Sequence, residues 1–139
     1  MSVKAKWYLR TAVLAALLMA SAWMIWRLAL DREESRRRAT VRNISSLASL
    51  LFTYAVVHEG LVPGPSIEEA IKAILDDPYL ADNVDWDDQF AAGRDAWGRK
   101  LVYEWNREDR RASIRSVGPN GVDERGAGDD FETNVVWPE

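Results

Sequence analysis

The chain has 139 residues, enough for one small domain in addition to its N-terminal segment. It contains no cysteine, which excludes a disulfide framework and a thiolate metal site. The net charge of −4 is divided unevenly, because residues 1–42 carry nine Lys and Arg against three Asp and Glu, whereas residues 43–139 carry nine against nineteen. An acidic C-terminal part repels phosphate backbones, which argues against nucleic acid as a partner.

The N-terminal segment contains an apolar run. Residues 11–26 include no charged side chain, and apolar neighbours extend the run to about 20 residues, the length that crosses a bilayer. Trp7 and Trp26 would lie about 28 Å apart along a helix, which matches the two aromatic belts of a membrane. A cleaved signal peptide with Ala20-Ser21-Ala22 as its cleavage site is the alternative. Because the apolar run continues beyond that site, we expect an uncleaved single-pass anchor over residues 1–30.

The anchor is followed by residues 31–59, which contain neither glycine nor proline. Apolar residues recur there at three- and four-residue spacing from Ile44 to Ala55. The pattern predicts one helix from about Lys4 to His58, so that residues 31–60 continue the helix of the anchor. The apolar residues of this continuation can pack between subunits or against the protein's own sheet, and we expect the second for most of them.

Residues 61–139 are expected to form a small head. Ser66 and Glu69 make up a capping box, which predicts a short helix through about Leu75. The acidic loop that follows, residues 82–88, is either a solvated turn or a second cation site, and we expect the turn. Alternating apolar residues from Leu101 to Trp105 and from Ala112 to Ile114 then predict two strands joined by a hairpin connection.

The segment after the second strand, residues 116–130, is rich in glycine and in side chains that carry oxygen. Such a loop cannot form a hydrophobic core, but it offers the oxygen ligands that calcium takes, six to eight of them from carboxylates, amides and backbone carbonyls. The loop lacks the spacing of an EF-hand, and by spacing alone a solvated turn is the more common outcome. Both interpretations are open at this point.

The C-terminal third of the chain also resembles a known family. Its motifs are D-A-W-G at residues 95–98, two strands, S-x-G-P-N-G at residues 116–121 and G-x-G-D-D at residues 126–130. This order resembles the C-terminal signature of the major pseudopilin of type II secretion and of similar pilin-like proteins. The resemblance implies an α+β fold in which a long N-terminal helix, membrane-spanning in its first half, packs on a small antiparallel sheet with a calcium loop.

The resemblance also implies one calcium ion and a set of ligands. By position, Asn120 stands where the family usually has aspartate, while Asp129 and Asp130 occupy the places of its paired acids and Ser116 that of its serine. Asparagine keeps one oxygen but loses a charge, so weaker binding is expected unless Asp123 compensates. The expected metal ligands are therefore Ser116, Asn120, Asp123, Asp129 and Asp130.

The function implied by the resemblance is that of a structural subunit of a type II secretion or pilus-type machine. Its place would be the bacterial inner membrane, with the head outside the cytoplasm. Its partners would be membrane lipid and other pilin-like subunits or secretion proteins, and a homo-oligomer is a further candidate. A count of basic residues alone favours the opposite orientation, because more of them follow the apolar run than precede it. Catalysis is not expected: His58 is the only histidine, and no nucleophile or phosphate-loop motif is present.

The N-terminus departs from the family pattern. Pseudopilins carry a glycine before a peptidase cleavage site and a glutamate shortly after it. Here the first glycine is Gly60 and the first acid is Asp31. The alternative function is therefore a membrane-tethered pilin-like module that binds or regulates a partner and does not polymerise.

Overall fold

The computed structural model describes residues 3–61, 63–106 and 108–137. Helix α1 spans Val3–Val57, close to the predicted bounds. The chain divides into two structural units, one ending at Ser35 and one beginning at Arg36. The described side chains of the first unit are exposed, and near its N-terminus α1 is apolar and long enough to cross a membrane, by length and composition.

In the second unit, one face of α1 contributes to the hydrophobic core. Four residues at three- and four-residue spacing are buried there: Ile44, Leu47, Leu51 and Ala55. They belong to the same core cluster as the inner face of the next helix and the apolar residues of the sheet. The expectation that these positions pack within their own subunit is confirmed, and each large side chain contributes about 1.5–3 kcal/mol by its burial.

Helix α2 spans Ile67–Asp76 and begins at the predicted capping box. The Ser66 hydroxyl accepts a hydrogen bond from the backbone N–H of Glu69, with 3.2 Å between nitrogen and oxygen. A 3₁₀ turn, Ala81–Asn83, and the short helix α3, Asp88–Ala91, follow. The Asp87 side chain caps α3 by accepting from the N–H of Phe90, so this carboxylate has a local structural role.

The end of α1 is tied to the end of α2 by a side-chain hydrogen bond between His58 and Asp77. His58 Nε2 lies 2.6 Å from Asp77 Oδ2, and the His58 ring also packs on Tyr54. The second Asp77 oxygen accepts from the N–H groups of Tyr79 and Leu80. The hydrogen bond from His58 and these two backbone bonds hold the pKa of Asp77 below its usual value.

The sheet has three antiparallel strands in the order β1-β2-β3: Val102–Asn106, Arg111–Ser116 and Phe131–Val136. Tyr103 is paired with Ile114, and Ile114 is paired with Thr133 on the other side. The predicted hairpin of the first two strands is confirmed. The third strand was not predicted, and it follows the calcium-type loop directly, so both ends of that loop are fixed in one sheet.

A polar contact joins α1, the D-A-W-G turn and β2. Asp95 is 1% exposed, and its Oδ1 accepts from the N–H groups of Trp97 and Arg99 at 2.9 Å each. Its Oδ2 accepts from the Ser116 hydroxyl at 2.6 Å. The Thr40 hydroxyl on α1 accepts from the N–H of Ala96 in the same turn. The turn is thereby attached both to the helix and to the strand from which the loop departs.

Candidate metal centre

The loop between β2 and β3, residues 117–130, brings three carboxylates together. Glu124, Asp129 and Asp130 each offer an oxygen, and these oxygens lie within 4.8 Å of one another. Calcium binds oxygen at 2.3–2.6 Å, so two ligands of one ion can be separated by at most about 5 Å. The cluster therefore has the spacing and the donor chemistry of a site for a hard cation.

Asp130 provides an independent sign that the cluster faces a ligand. Its side chain is 9% exposed, and its Oδ2 accepts from the N–H groups of Glu124 and Gly126 at 2.7 and 3.1 Å. Its Oδ1 is buried and has no hydrogen-bond partner among the described residues. A buried carboxylate oxygen without a partner costs about 1–3 kcal/mol or more, and a cation would remove that cost.

Asp129 is positioned by the turn that begins the loop. Its Oδ2 accepts from the backbone N–H of Asn120 at 3.0 Å. The side chain of Asn120 belongs to this turn as well: its Oδ1 accepts from the N–H of Val122, and its Nδ2 donates to Glu124 Oε2 at 3.4 Å. Asn120 thus lies beside the cluster, with an N–H group directed at Glu124 and its amide oxygen bonded within the turn.

Two glycines allow the backbone to approach the carboxylates. Gly118 has φ +60°, and a Cβ there would overlap the Asp129 backbone and lie 2.8 Å from Asp129 Oδ2. Gly128 has φ +61°, and a Cβ there would overlap the Glu124 carboxylate. At Gly118 positive φ and the fixed Asp129 backbone together require glycine, whereas at Gly128 the positive φ favours glycine and the nearby Glu124 carboxylate could move aside.

Two of the predicted ligands have other partners. The Ser116 hydroxyl is buried and donates to Asp95, as described above. Asp123 receives two hydrogen bonds from Arg115, Nε to Oδ1 at 2.9 Å and Nη2 to Oδ2 at 3.1 Å. Of the five predicted residues, the structure therefore brings Asp129 and Asp130 into the cluster, with Asn120 at its edge, and places the side chains of Ser116 and Asp123 in separate contacts.

Arg115 is the centre of the second contact. It is 3% exposed, lies on β2, and also approaches Glu104 of β1 at 3.2 Å and Glu132 of β3 at 3.5 Å. The hydrogen bonds from Arg115 hold the pKa of Asp123 below its usual value, and the same contacts raise the pKa of Arg115. Asp123 is thus a charged partner of an arginine, which ties the loop to all three strands.

Glu124 and Arg115 are the functional residues that the sequence analysis missed. Glu124 directly follows Asp123, and nothing in the spacing indicates which of two adjacent acids faces the cluster. Arg115 could have been found from the strand alternation, because it lies between Ile114 and Ser116 and must point to the opposite face of the sheet. The acidic loop at residues 82–88 contains no comparable group in the described part of the chain, where the only candidate cluster is Glu124, Asp129 and Asp130.

Comparison with known families agrees with the fold. The model of the family "Type II secretion system (T2SS), protein G" matches residues 27–136. The chain belongs to this family. The match covers the second part of α1, the whole sheet and the carboxylate loop, and it begins after the apolar run. A search of curated proteins and a search of solved structures each find no match to this chain.

Membership confirms the pseudopilin resemblance and with it the α+β layout of a long N-terminal helix packed on a small sheet. The protein is a pseudopilin-like subunit of type II secretion, and membership implies contact with other secretion-system or pilin-like proteins. The apolar N-terminal part of α1 is consistent with an anchor in the inner membrane.

Proposed function

We propose that the protein is a structural subunit of a type II secretion machine, anchored in the inner membrane by α1, with an extracytoplasmic head that one calcium ion stabilises. The observation that carries the proposal is the grouping of the Glu124, Asp129 and Asp130 carboxylates, in which Asp130 has a buried oxygen without a hydrogen-bond partner among the described residues. Family membership supports the secretion role, and the apolar part of α1 supports the anchor. Its partners are membrane lipid, pilin-like subunits and further copies of the chain. Its work is structural and not catalytic.

Calcium is the cation that suits this site best. The donors are carboxylates. Hard cations such as calcium bind oxygen ligands in preference to nitrogen or sulfur. Glu124, Asp129 and Asp130 would hold the ion, which would neutralise their mutual repulsion and cross-link the loop. The chain's own residues arrange this: Asp130 directly precedes β3, and the N–H groups of Glu124 and Gly126 orient its carboxylate.

An extracytoplasmic head follows from the same chemistry. A loop site with only three side-chain carboxylates binds weakly, in the range typical of extracellular modules, and such a site is filled only where calcium is millimolar. This argument and the orientation that the family resemblance implies favour an extracytoplasmic head, against the count of basic residues on the two sides of the apolar run.

Calcium is expected to raise the melting temperature of the full chain in detergent, and Asp129→Ala is expected to abolish the rise. An ion that binds only the folded state stabilises it by about 2.7 kcal/mol at a concentration 100 times its Kd. Thermal melts followed by circular dichroism, in calcium and in chelator, measure the difference.

Asp85→Ala is the matched control, because Asp85 is an exposed loop aspartate far from the cluster in sequence. It should keep the full calcium-dependent rise. Equal melting temperatures of the unmodified protein in calcium and in chelator would refute the calcium site.

A second candidate function is a tethered pilin-like module that never polymerises. The observation in its favour is the sequence of residues 1–30, which contains neither an acid nor a glycine. Mass spectrometry of the native N-terminus distinguishes the two. An intact start at Met1 or Ser2 would exclude pilin-type maturation and favour the tethered module, whereas recovery of the protein in sheared surface filaments would contradict the tethered module.

A further inference from the structure

Arg99 contacts the carboxylate loop without contacting its carboxylates. It follows the D-A-W-G turn, and its backbone N–H is held by Asp95 at 2.9 Å. Its guanidinium donates to two consecutive carbonyl oxygens of the loop, that of Gly118 and, at 2.6 Å, that of Pro119. The planar fork of arginine suits two adjacent acceptors, and lysine cannot reproduce that geometry.

Arg99 contacts the turn of residues 118–121, and this turn packs directly against Asp129. The backbone of Gly118 touches Asp129 so closely that no side chain fits between them. Asn120 in the same turn donates its N–H to Asp129 Oδ2 at 3.0 Å. At the other end of the turn, a Cβ on Gly121 would lie 2.9 Å from Arg99 Nε, so the arginine lies flat against the turn.

We propose that Arg99 is a positioning residue of the cation site: it fixes the turn of residues 118–121 and thereby holds the Asp129 carboxylate beside those of Glu124 and Asp130. The inference rests on the proposed calcium site. Three carboxylates within 4.8 Å repel one another, and residues 119–128 are exposed with few apolar side chains to hold them in place.

The two arginines that contact the loop from outside it, Arg99 and Arg115, act differently. Arg115 binds the Asp123 carboxylate directly and makes it unavailable to a metal ion. Arg99 binds backbone carbonyls, so it supplies a rigid support and a positive charge without itself binding a carboxylate of the cluster. Partners that orient metal ligands in this indirect way typically change metal affinity 10- to 100-fold when they are removed.

The test is calcium titration of the full chain in detergent by isothermal titration calorimetry, with melting temperatures in calcium and in chelator. Arg99→Met keeps the length of the side chain but removes its donors, and we expect the calcium Kd to rise about 10-fold or more. Arg99→Lys should give an intermediate Kd. Arg94→Met is the control, because the Arg94 side chain donates to the carbonyl of Gly98 at 2.8 Å and not to the loop. The calcium Kd of this variant should equal that of the unmodified protein.

The outcomes separate positioning from simple stabilisation. If Arg99→Met lowers the melting temperature equally in calcium and in chelator and leaves the Kd unchanged, Arg99 only stabilises the fold and the inference is wrong. If Arg99→Met does not fold, the Kd of Arg99→Lys decides, and a value equal to that of the unmodified protein overturns the inference. If the unmodified protein itself binds no calcium, the proposed site fails and the role of Arg99 fails with it.

Discussion

Asp95→Ala is expected to destabilise the head by about 3 kcal/mol or more. Three donors lose their acceptor at once: the N–H groups of Trp97 and Arg99 and the buried hydroxyl of Ser116. Each hydrogen bond to a charged group contributes about 1.5–3 kcal/mol, and a buried donor left without a partner adds its desolvation cost. Small domains are stable by about 5–15 kcal/mol, so this loss removes a large part of the total.

Chemical denaturation of the full chain in detergent, followed by tryptophan fluorescence, measures the effect. Asp95→Asn is the matched variant, because asparagine keeps one oxygen for the backbone donors and loses the charge, and we expect a smaller loss. Asp82→Ala removes an exposed aspartate and should change the midpoint little. An unchanged midpoint for Asp95→Ala would show that the buried hydrogen bonds contribute no net stability.

Asp95 also links the stability of the head to the candidate metal centre. Ser116 is the last residue of β2, where the loop begins, and Arg99 reaches the turn on which Asp129 rests. Both are held by the same buried carboxylate. A change at Asp95 should therefore disturb the cation site from a distance, whereas a change at Asp129 removes a ligand and leaves the Asp95 contacts intact.

The elements with strong local signals could be predicted from the sequence. The length of α1 follows from the lack of glycine and proline before Gly60, and the start of α2 follows from the capping box at Ser66. The hairpin of β1 and β2 follows from alternating apolar residues, which set the pairing of Tyr103 with Ile114. In each case a few neighbouring residues determine the conformation.

The third strand could not be predicted in the same way. Its residues alternate weakly, since three polar residues, Glu132, Thr133 and Asn134, separate the aromatic Phe131 from Val135. Of the six, only Val135 is buried. The strand forms because β2 offers a free edge and because Trp137 donates its N–H to Arg110 beyond the strand end, which are contacts between distant parts of the chain.

The candidate site could be predicted only in part, because contacts between distant parts of the chain decide which acids face it. Paired acids at Asp129 and Asp130 are visible in the sequence, but the partner of each further acid depends on the fold. Arg115 binds the carboxylate of Asp123, whereas the carboxylate of Glu124 lies in the cluster. A buried arginine needs a carboxylate partner, and that requirement decides which of two adjacent acids remains for a metal ion.

Leu51→Ala is expected to destabilise the head by about 2–5 kcal/mol. Leu51 is 0% exposed and belongs to the core cluster shared by α1, α2 and the sheet. Replacing it leaves a cavity, because the helix and the sheet cannot both move inward to fill the space of a lost isobutyl group. The midpoint of chemical denaturation, measured on the full chain in detergent, gives the change.

Phe52→Ala is the matched control, and it also separates two roles of α1. Phe52 is adjacent in sequence but 45% exposed, so its removal should change the free energy of unfolding much less than that of Leu51, even though it deletes a larger side chain. If the two variants were equally destabilised, burial would not govern stability along this helix. If Leu51→Ala unfolds at the midpoint of the unmodified protein, the inner face of α1 does not stabilise the head, and its apolar residues would then have to be explained by contacts between subunits.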